Sequence, residues 1–293
     1  MIGVDALQGT IGMQEAIDLL ERTMAHEEAG RTSVSPKFIT EFENGVMRVL
    51  FAILDGRLIT DLRTGAASGV IARKVFIPGP VSVGILGSGN QARTQLEALA
   101  GVYPVHRAEV YSPTTVNRER YAREMSAKLN IPVVAVASAE AAVRGKQAVA
   151  TASNARGTEP ILRREWLDHC RLLCAVGNTR PQFAEIDAET FAHAACTVVD
   201  SRHAMTEAGD LIAAAKAGAL PESRQATLGQ ILTGSRSLPQ EGLIIFKSVG
   251  MALQDLALAI RYYELLGARK DLASPSNVAS LRDRNRGSAG VAV

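Results

Sequence analysis

The chain has 293 residues, 32 basic against 30 acidic, for a net charge of +2. That length allows two domains and an ample core, and the balanced, scattered charge excludes the basic footprint of a nucleic-acid binder. Hydrophobic residues reach 47% while aromatic ones stay at 4%, a balance that suits helices on a buried parallel sheet; no apolar run approaches a membrane span and the N-terminus has no signal-peptide build, so a cytoplasmic protein with no membrane partner is expected.

From the N-terminus, Met13, Ile17, Leu20 and Met24 recur at helical spacing, and Gly30 ends the pattern. Lys37 to Phe42 reads as a strand, Asn44-Gly45 as a hairpin turn and Val46 to Leu54 as the return strand, with a further turn at Asp55-Gly56. From Thr64 the run TGAASGVIARKVF is helix-compatible, and its small residues allow close packing on a neighbour. Pro78-Gly79-Pro80 then breaks the chain. A domain boundary is placed there, with 1–78 as one domain and 79–264 as the next.

The stretch VSVGILGSGNQARTQLEALA, Val81 to Ala100, organises the rest. A β-branched apolar run enters Gly87-Ser88-Gly89-Asn90-Gln91-Ala92, and a helical pattern follows through Leu96 and Leu99. G-x-G-x-x-A between a strand and a helix is the phosphate turn of a dinucleotide fold. Gly87 permits the turn, Gly89 lets backbone approach a pyrophosphate, and Ala92 allows close helix–strand packing. The helix N-terminus offers free N–H groups to the anion.

Alternation continues with strands at 108–111, 133–136, 148–152, 171–176 and 197–199 and helices at 116–129 and 138–143. Six strands in all predict an α/β fold, a Rossmann-type doubly wound parallel sheet. Thr151 and Asn154, ending the fourth strand, lie where such sheets hold ligands, or are polar residues that merely close a strand. At the end of the second strand, Ser112, Thr114, Thr115 and Arg118 provide hydroxyls and a cation with no carboxylate. That set suits the extra phosphate of NADP(H) better than the plain ribose of NAD(H). The three cysteines, Cys170, Cys174 and Cys196, are too few for a disulfide scaffold, and Cys174 lies in an apolar run. No metal site is expected.

Several stretches together resemble the ornithine cyclodeaminase/mu-crystallin family: LRTGAASG (62–69), GSGNQARTQLEAL (87–99), AVGNTRPQFAEID (175–187), VVDSR (198–202), EAGDL (207–211), LGQILTG (228–234) and IFKSVGMALQDLALA (245–259). The resemblance implies an NAD(P)(H)-dependent homodimer whose second, smaller α+β domain joins the N-terminal part to the final helix region, about 265–293. It implies hydride transfer at the nitrogen-bearing carbon of a small amino-acid or imino-acid substrate. Arg63 matches the family's carboxylate-binding arginine, and Lys37 stands where many members have arginine. Lys247 faces the cofactor in this reading, with Gly250 permitting close approach; alternatively the segment is a capped core helix with Ser248 as its cap.

Two departures bear on the chemistry. Thr179 replaces the aspartate of the cyclodeaminase itself, and threonine without a partner is no general base at neutral pH. Thr179 is therefore expected to line a nicotinamide pocket in a dehydrogenase or ketimine reductase, with ornithine cyclodeamination the lesser alternative. Between Leu50 and Phe51 the family normally carries several dozen more residues, including a substrate lysine with no counterpart here. A catalytically impaired NADP(H)-binding protein is the rival that this shortening favours.

Overall fold

The computed structural model describes residues 7–29, 56–155, 157 and 159–266. Lys37, the strand pair expected over 37–54, the shortening at 50–51 and the chain beyond 266 lie outside them.

Helix α1 (Met13–Glu28) buries Ala16, Ile17, Leu20 and Met24, the stripe that the spacing predicts. Helix α2 (Gly56–Lys74) starts earlier than expected, because Gly56 is its first residue rather than part of a turn. Its small residues have a use: a Cβ on Gly65 would collide with Thr94 of the next helix, and one on Gly69 with Ile17 of α1. Gly65 therefore brings α2 against the backbone of that next helix, and Gly69 makes room for the Ile17 side chain of α1.

After the Pro78-Gly79-Pro80 break come β1 (Val81–Leu86), α3 (Asn90–Val102), β2 (Val105–Tyr111), α4 (Thr115–Leu129), β3 (Val133–Ala135), α5 (Ala139–Val143) and β4 (Ala148–Thr151). Then follow β5 (Leu172–Ala175), α6 (Ala188–His193), β6 (Cys196–Val199), α7 (Ala204–Glu207), α8 (Gly209–Lys216), β7 (Gln225–Thr227), α9 (Leu228–Thr233), β8 (Ile244–Lys247) and α10 (Ala252–Leu266). Among the described residues the sheet holds eight strands rather than the six expected, in the order β3-β2-β1-β4-β5-β8-β6-β7, and every pairing between them is parallel.

β7 and β8 are the additions. β8 belongs to the segment expected to face the cofactor or to cap the last helix, yet it sits between β5 and β6 and bonds to both. Ser248 likewise caps nothing: its hydroxyl donates to Asp200 at 2.6 Å. Alternate strand residues feed two apolar layers. Ile244 and Phe246 join α1–α4, α9 and α10 on one face. Ile245 joins Phe191 of α6, Ala204 of α7 and Leu211 of α8 on the other. Among the described residues no helix is long and apolar enough to cross a membrane.

Candidate functional site

The carboxyl ends of the strands carry the site, as the switch in strand order beside β1 requires. At the end of β1, Gly87 takes φ +117°, and a Cβ there would strike the Ala152 carbonyl. Its N–H donates to Tyr111 O at 2.8 Å. One glycine thus draws the ends of β1, β2 and β4 together. Gly89 stands at the N-cap of α3 with no side-chain cap, and a Cβ on it would meet nothing within 4 Å. The first-turn N–H groups of Asn90, Gln91 and Ala92 lack a capping side chain, the arrangement that accepts a phosphate.

Around this turn, the Ser88 and Ser112 hydroxyls meet at 2.9 Å. Arg93 braces it by donating to the carbonyls of Ser88 (2.8 Å) and Gly89 (3.1 Å) and to Glu124 (2.5 Å). Ala92 is buried and its carbonyl accepts from Tyr121 Oη. Gln91 turns away and donates to Asp61 of α2 at 2.8 Å; Asn90 is exposed.

A cleft of about 300 Å³ opens beside the turn, lined among others by Gly87, Tyr111, Ser112, Ser153 and Asn154. Thr114 and Thr115 are exposed at the start of α4, with no cap bond from Thr114. Arg118 donates to the carbonyls of Ser112 (2.9 Å) and Pro113 (3.3 Å) and lies over the Tyr111 ring. No carboxylate occurs between 111 and 118.

Beneath the ends of β4, β5 and β8 runs a buried ionic network. Lys247 follows Ile245 on the face under α8, and its ammonium donates to Asp210 at 2.5 Å and to the Asn178 carbonyl at 2.7 Å, all in zero exposure of the paired side chains. The expected cofactor-facing lysine is thus turned inward. Asp210 also accepts the N–H groups of Glu185 (2.5 Å) and Ile186 (3.1 Å). The fully buried Glu185 carboxylate accepts from Ser153 N (3.0 Å), the Ser153 hydroxyl and the Thr151 hydroxyl (3.3 Å). Burial pushes the Glu185 carboxyl up, against the opposing pull of Lys247. Thr151 therefore points into this network while Asn154 lines the cleft. Thr179 is exposed in the loop after β5, one residue beyond the buried Asn178.

At the far end of the same edge a second cleft, about 460 Å³, is bordered by Glu27, Glu28, Asp200, Glu207, Gly250 and neighbours. Asp200 accepts from the Ser248 hydroxyl, from Gly250 N at 2.6 Å and from Ser201 N at 2.9 Å. Burial raises its carboxyl despite those bonds. Arg63 is buried against Gly250, its Nε 3.3 Å from Asp255 and its Nη1 3.4 Å from Gln254.

A sequence model of the ornithine cyclodeaminase/mu-crystallin family matches residues 49–270, which contain the glycine turn, the ionic network and Arg63. The chain belongs to that family. Within it, the chain is 31% identical over 215 residues to the mouse (Mus musculus) ketimine reductase mu-crystallin, covering 73% of this chain and 65% of that protein. It is 30% identical over 230 residues to a Bacillus cereus delta(1)-pyrroline-2-carboxylate reductase, covering 77% and 69%. The match to the mouse protein thus spans less than two-thirds of its length. Among solved structures, the Thermococcus litoralis delta(1)-pyrroline-2-carboxylate reductase, in complex with NADH and L-proline, superposes with a TM-score of 0.80 at 28% identity, covering 90% of this chain and 97% of that one.

Sequence reasoning assigned no role to Glu185, Asp200, Asp210 or Asp255. One signal was available: a lysine ending an apolar strand needs a buried counter-charge, and EAGDL offered Asp210.

Proposed function

We propose that this family member is an NAD(P)(H)-dependent oxidoreductase that moves a hydride between nicotinamide and the nitrogen-bearing carbon of a small amino or imino acid. The observation that carries this is one strand edge holding both an uncapped glycine turn and, beyond it, a cleft bordered by Gly250 with Arg63 behind it. The residues fit a dinucleotide, since Gly89 leaves room for a pyrophosphate where any other residue would place a Cβ.

In this reading Gly87 to Ala92 hold the pyrophosphate and Ser112, Asn154 and Arg118 the adenosine end. When bound, the nucleotide supplies or accepts the hydride. Arg63, with Lys37, receives the substrate carboxylate through its planar fork, and Asp255 fixes the guanidinium. Asp200 sets a carboxylate beside the substrate, where it favours an iminium nitrogen over a neutral one. Thr179 lines the nicotinamide side and disfavours cyclodeamination, which needs a base there. The hydroxyls and Arg118, with no carboxylate at the end of β2, favour NADP(H) over NAD(H). Residues 1–78 with the final helix region form the substrate domain of a cytoplasmic homodimer, tested by light scattering.

Fluorescence titration with NADPH and NADH, followed by pyrroline-2-carboxylate, tests the reading. Tighter NADPH binding and loss of the reduced-nicotinamide signal are expected. Binding without turnover on any imino acid would replace this reading with a nucleotide-binding protein, and no binding would remove both.

A further inference from the structure

A continuous hydrogen-bonded chain crosses the floor of the site. It starts at Ser153, whose N–H and hydroxyl both donate to Glu185. The Glu185 backbone N–H donates to Asp210, Asp210 accepts from Lys247, and Lys247 donates to the Asn178 carbonyl. Its two ends are the loop that lines the 300 Å³ cleft and the loop that presents Thr179. A second observation closes the ring: a Cβ on Gly177 would collide with the Glu185 carboxylate and lie 2.6 Å from Ser153 N. The two loops are thus wedged against one carboxylate as well as bonded through it.

Packing alone does not call for this arrangement. Glu185, Asp210 and Lys247 are all buried, and apolar side chains of similar volume would fill the space without the desolvation cost of three ionisable groups. What the charged version adds is direction, because one bond at each end fixes a backbone group of a site loop, the Ser153 N–H at one and the Asn178 carbonyl at the other. We propose that Glu185 is a positioning residue that couples the two halves of the nucleotide site, setting the Ser153–Asn154 loop and the Asn178–Thr179 loop as one unit. The inference rests on the dinucleotide reading above and names the device that aligns its two ends. It predicts that a change at Glu185 reaches the Asn178 loop, which the carboxylate does not itself bond.

The test uses the full chain, its Glu185→Gln variant and Ser153→Ala. Nucleotide affinity is read by fluorescence titration with NADPH and NADH well below the melting temperature, and amide hydrogen exchange is followed at residues 153–155 and 178–180. Glu185→Gln is expected to weaken nucleotide binding about tenfold, the size of one hydrogen bond to a charged group, and to speed exchange in both loops. A variant that only melts earlier, with affinity and loop exchange unchanged, overturns the proposal, as does faster exchange at 153–155 alone. Should Glu185→Gln fail to fold, Ser153→Ala decides: about threefold weaker binding with faster exchange at 178–180 supports the coupling, and an undisturbed 178–180 loop ends it. If the parent chain binds neither nucleotide, the function reading fails while the exchange comparison still decides the coupling.

Discussion

The Cα of Gly250 lies against the guanidinium of Arg63: a Cβ built at position 250 would fall 2.7 Å from Cζ. Gly250 has φ +85° and gives its N–H to Asp200 at 2.6 Å. A single glycine therefore sets the distance between the Arg63 guanidinium and the buried Asp200 carboxylate at the rim of the far cleft. Residues 63 and 250 come from α2 and from the loop before α10, so this spacing depends on how the N-terminal helices dock on the sheet.

Gly250→Ala should do two separable things. The left-handed backbone and the collision with Arg63 together should cost about 1–3 kcal/mol of stability, measured by urea unfolding. With the guanidinium displaced, KM for an imino-acid substrate should rise at least tenfold while NADPH affinity in the fluorescence titration stays within a factor of two.

Lys247→Met leaves Asp210 as a buried charge with no counter-ion. Removing one partner of such a pair costs about 3–5 kcal/mol, and both side chains here have zero exposure. Unfolding midpoints should show a loss of that order, and adding Asp210→Asn to the variant should recover part of it. Equal stability in single variant and parent would mean that the pair is not the buried contact described above.

Asp200 makes a prediction about pH. Burial holds its folded carboxyl above the ordinary value, against bonds from Ser248 and Gly250. A carboxyl raised by folding binds its proton more tightly in the native state, so its contribution is full below about pH 4, the unfolded value, and is lost as pH climbs through the folded one. Chemical denaturation from pH 4 to pH 7 should show the parent losing stability relative to Asp200→Asn across that window. A difference independent of pH would sink the assignment.

The glycine turn was legible to the residue because everything it needs is local: an apolar run, Gly87, Gly89 and Ala92 within twelve positions of Val81. The same locality accounts for β1 to β6 and for α3, α4 and α5 to within a few residues, whereas α6, six residues between β5 and β6, is too short to show a helical period. β8 is hidden in the sequence because three apolar residues and a lysine just ahead of a helical pattern show no strand period; only their bonding to β5 and β6, remote in sequence, makes them a strand. The inward turn of Lys247 is hidden for the related reason that strand alternation, which points it under α8, applies only once β8 is recognised as a strand. Arg63 was found by resemblance, but its partner Asp255 lies 192 positions away, and nothing near either residue announces the other.

The place of β8 also bears on how the protein is made. Among the described residues, β6 and β7 join the rest of the sheet only through β8, the last of the described strands. As the polypeptide leaves the ribosome, the half built from β1 to β5 can assemble, but β5 keeps an open edge and β6–β7 has no partner until residue 247 has emerged. Such late closure raises contact order and slows folding, and an uncovered edge of Leu172 to Ala175 is a template for pairing with another nascent chain. A truncation ahead of Ile244 would hold the molecule at that stage, with the β5 edge open to pairing between chains.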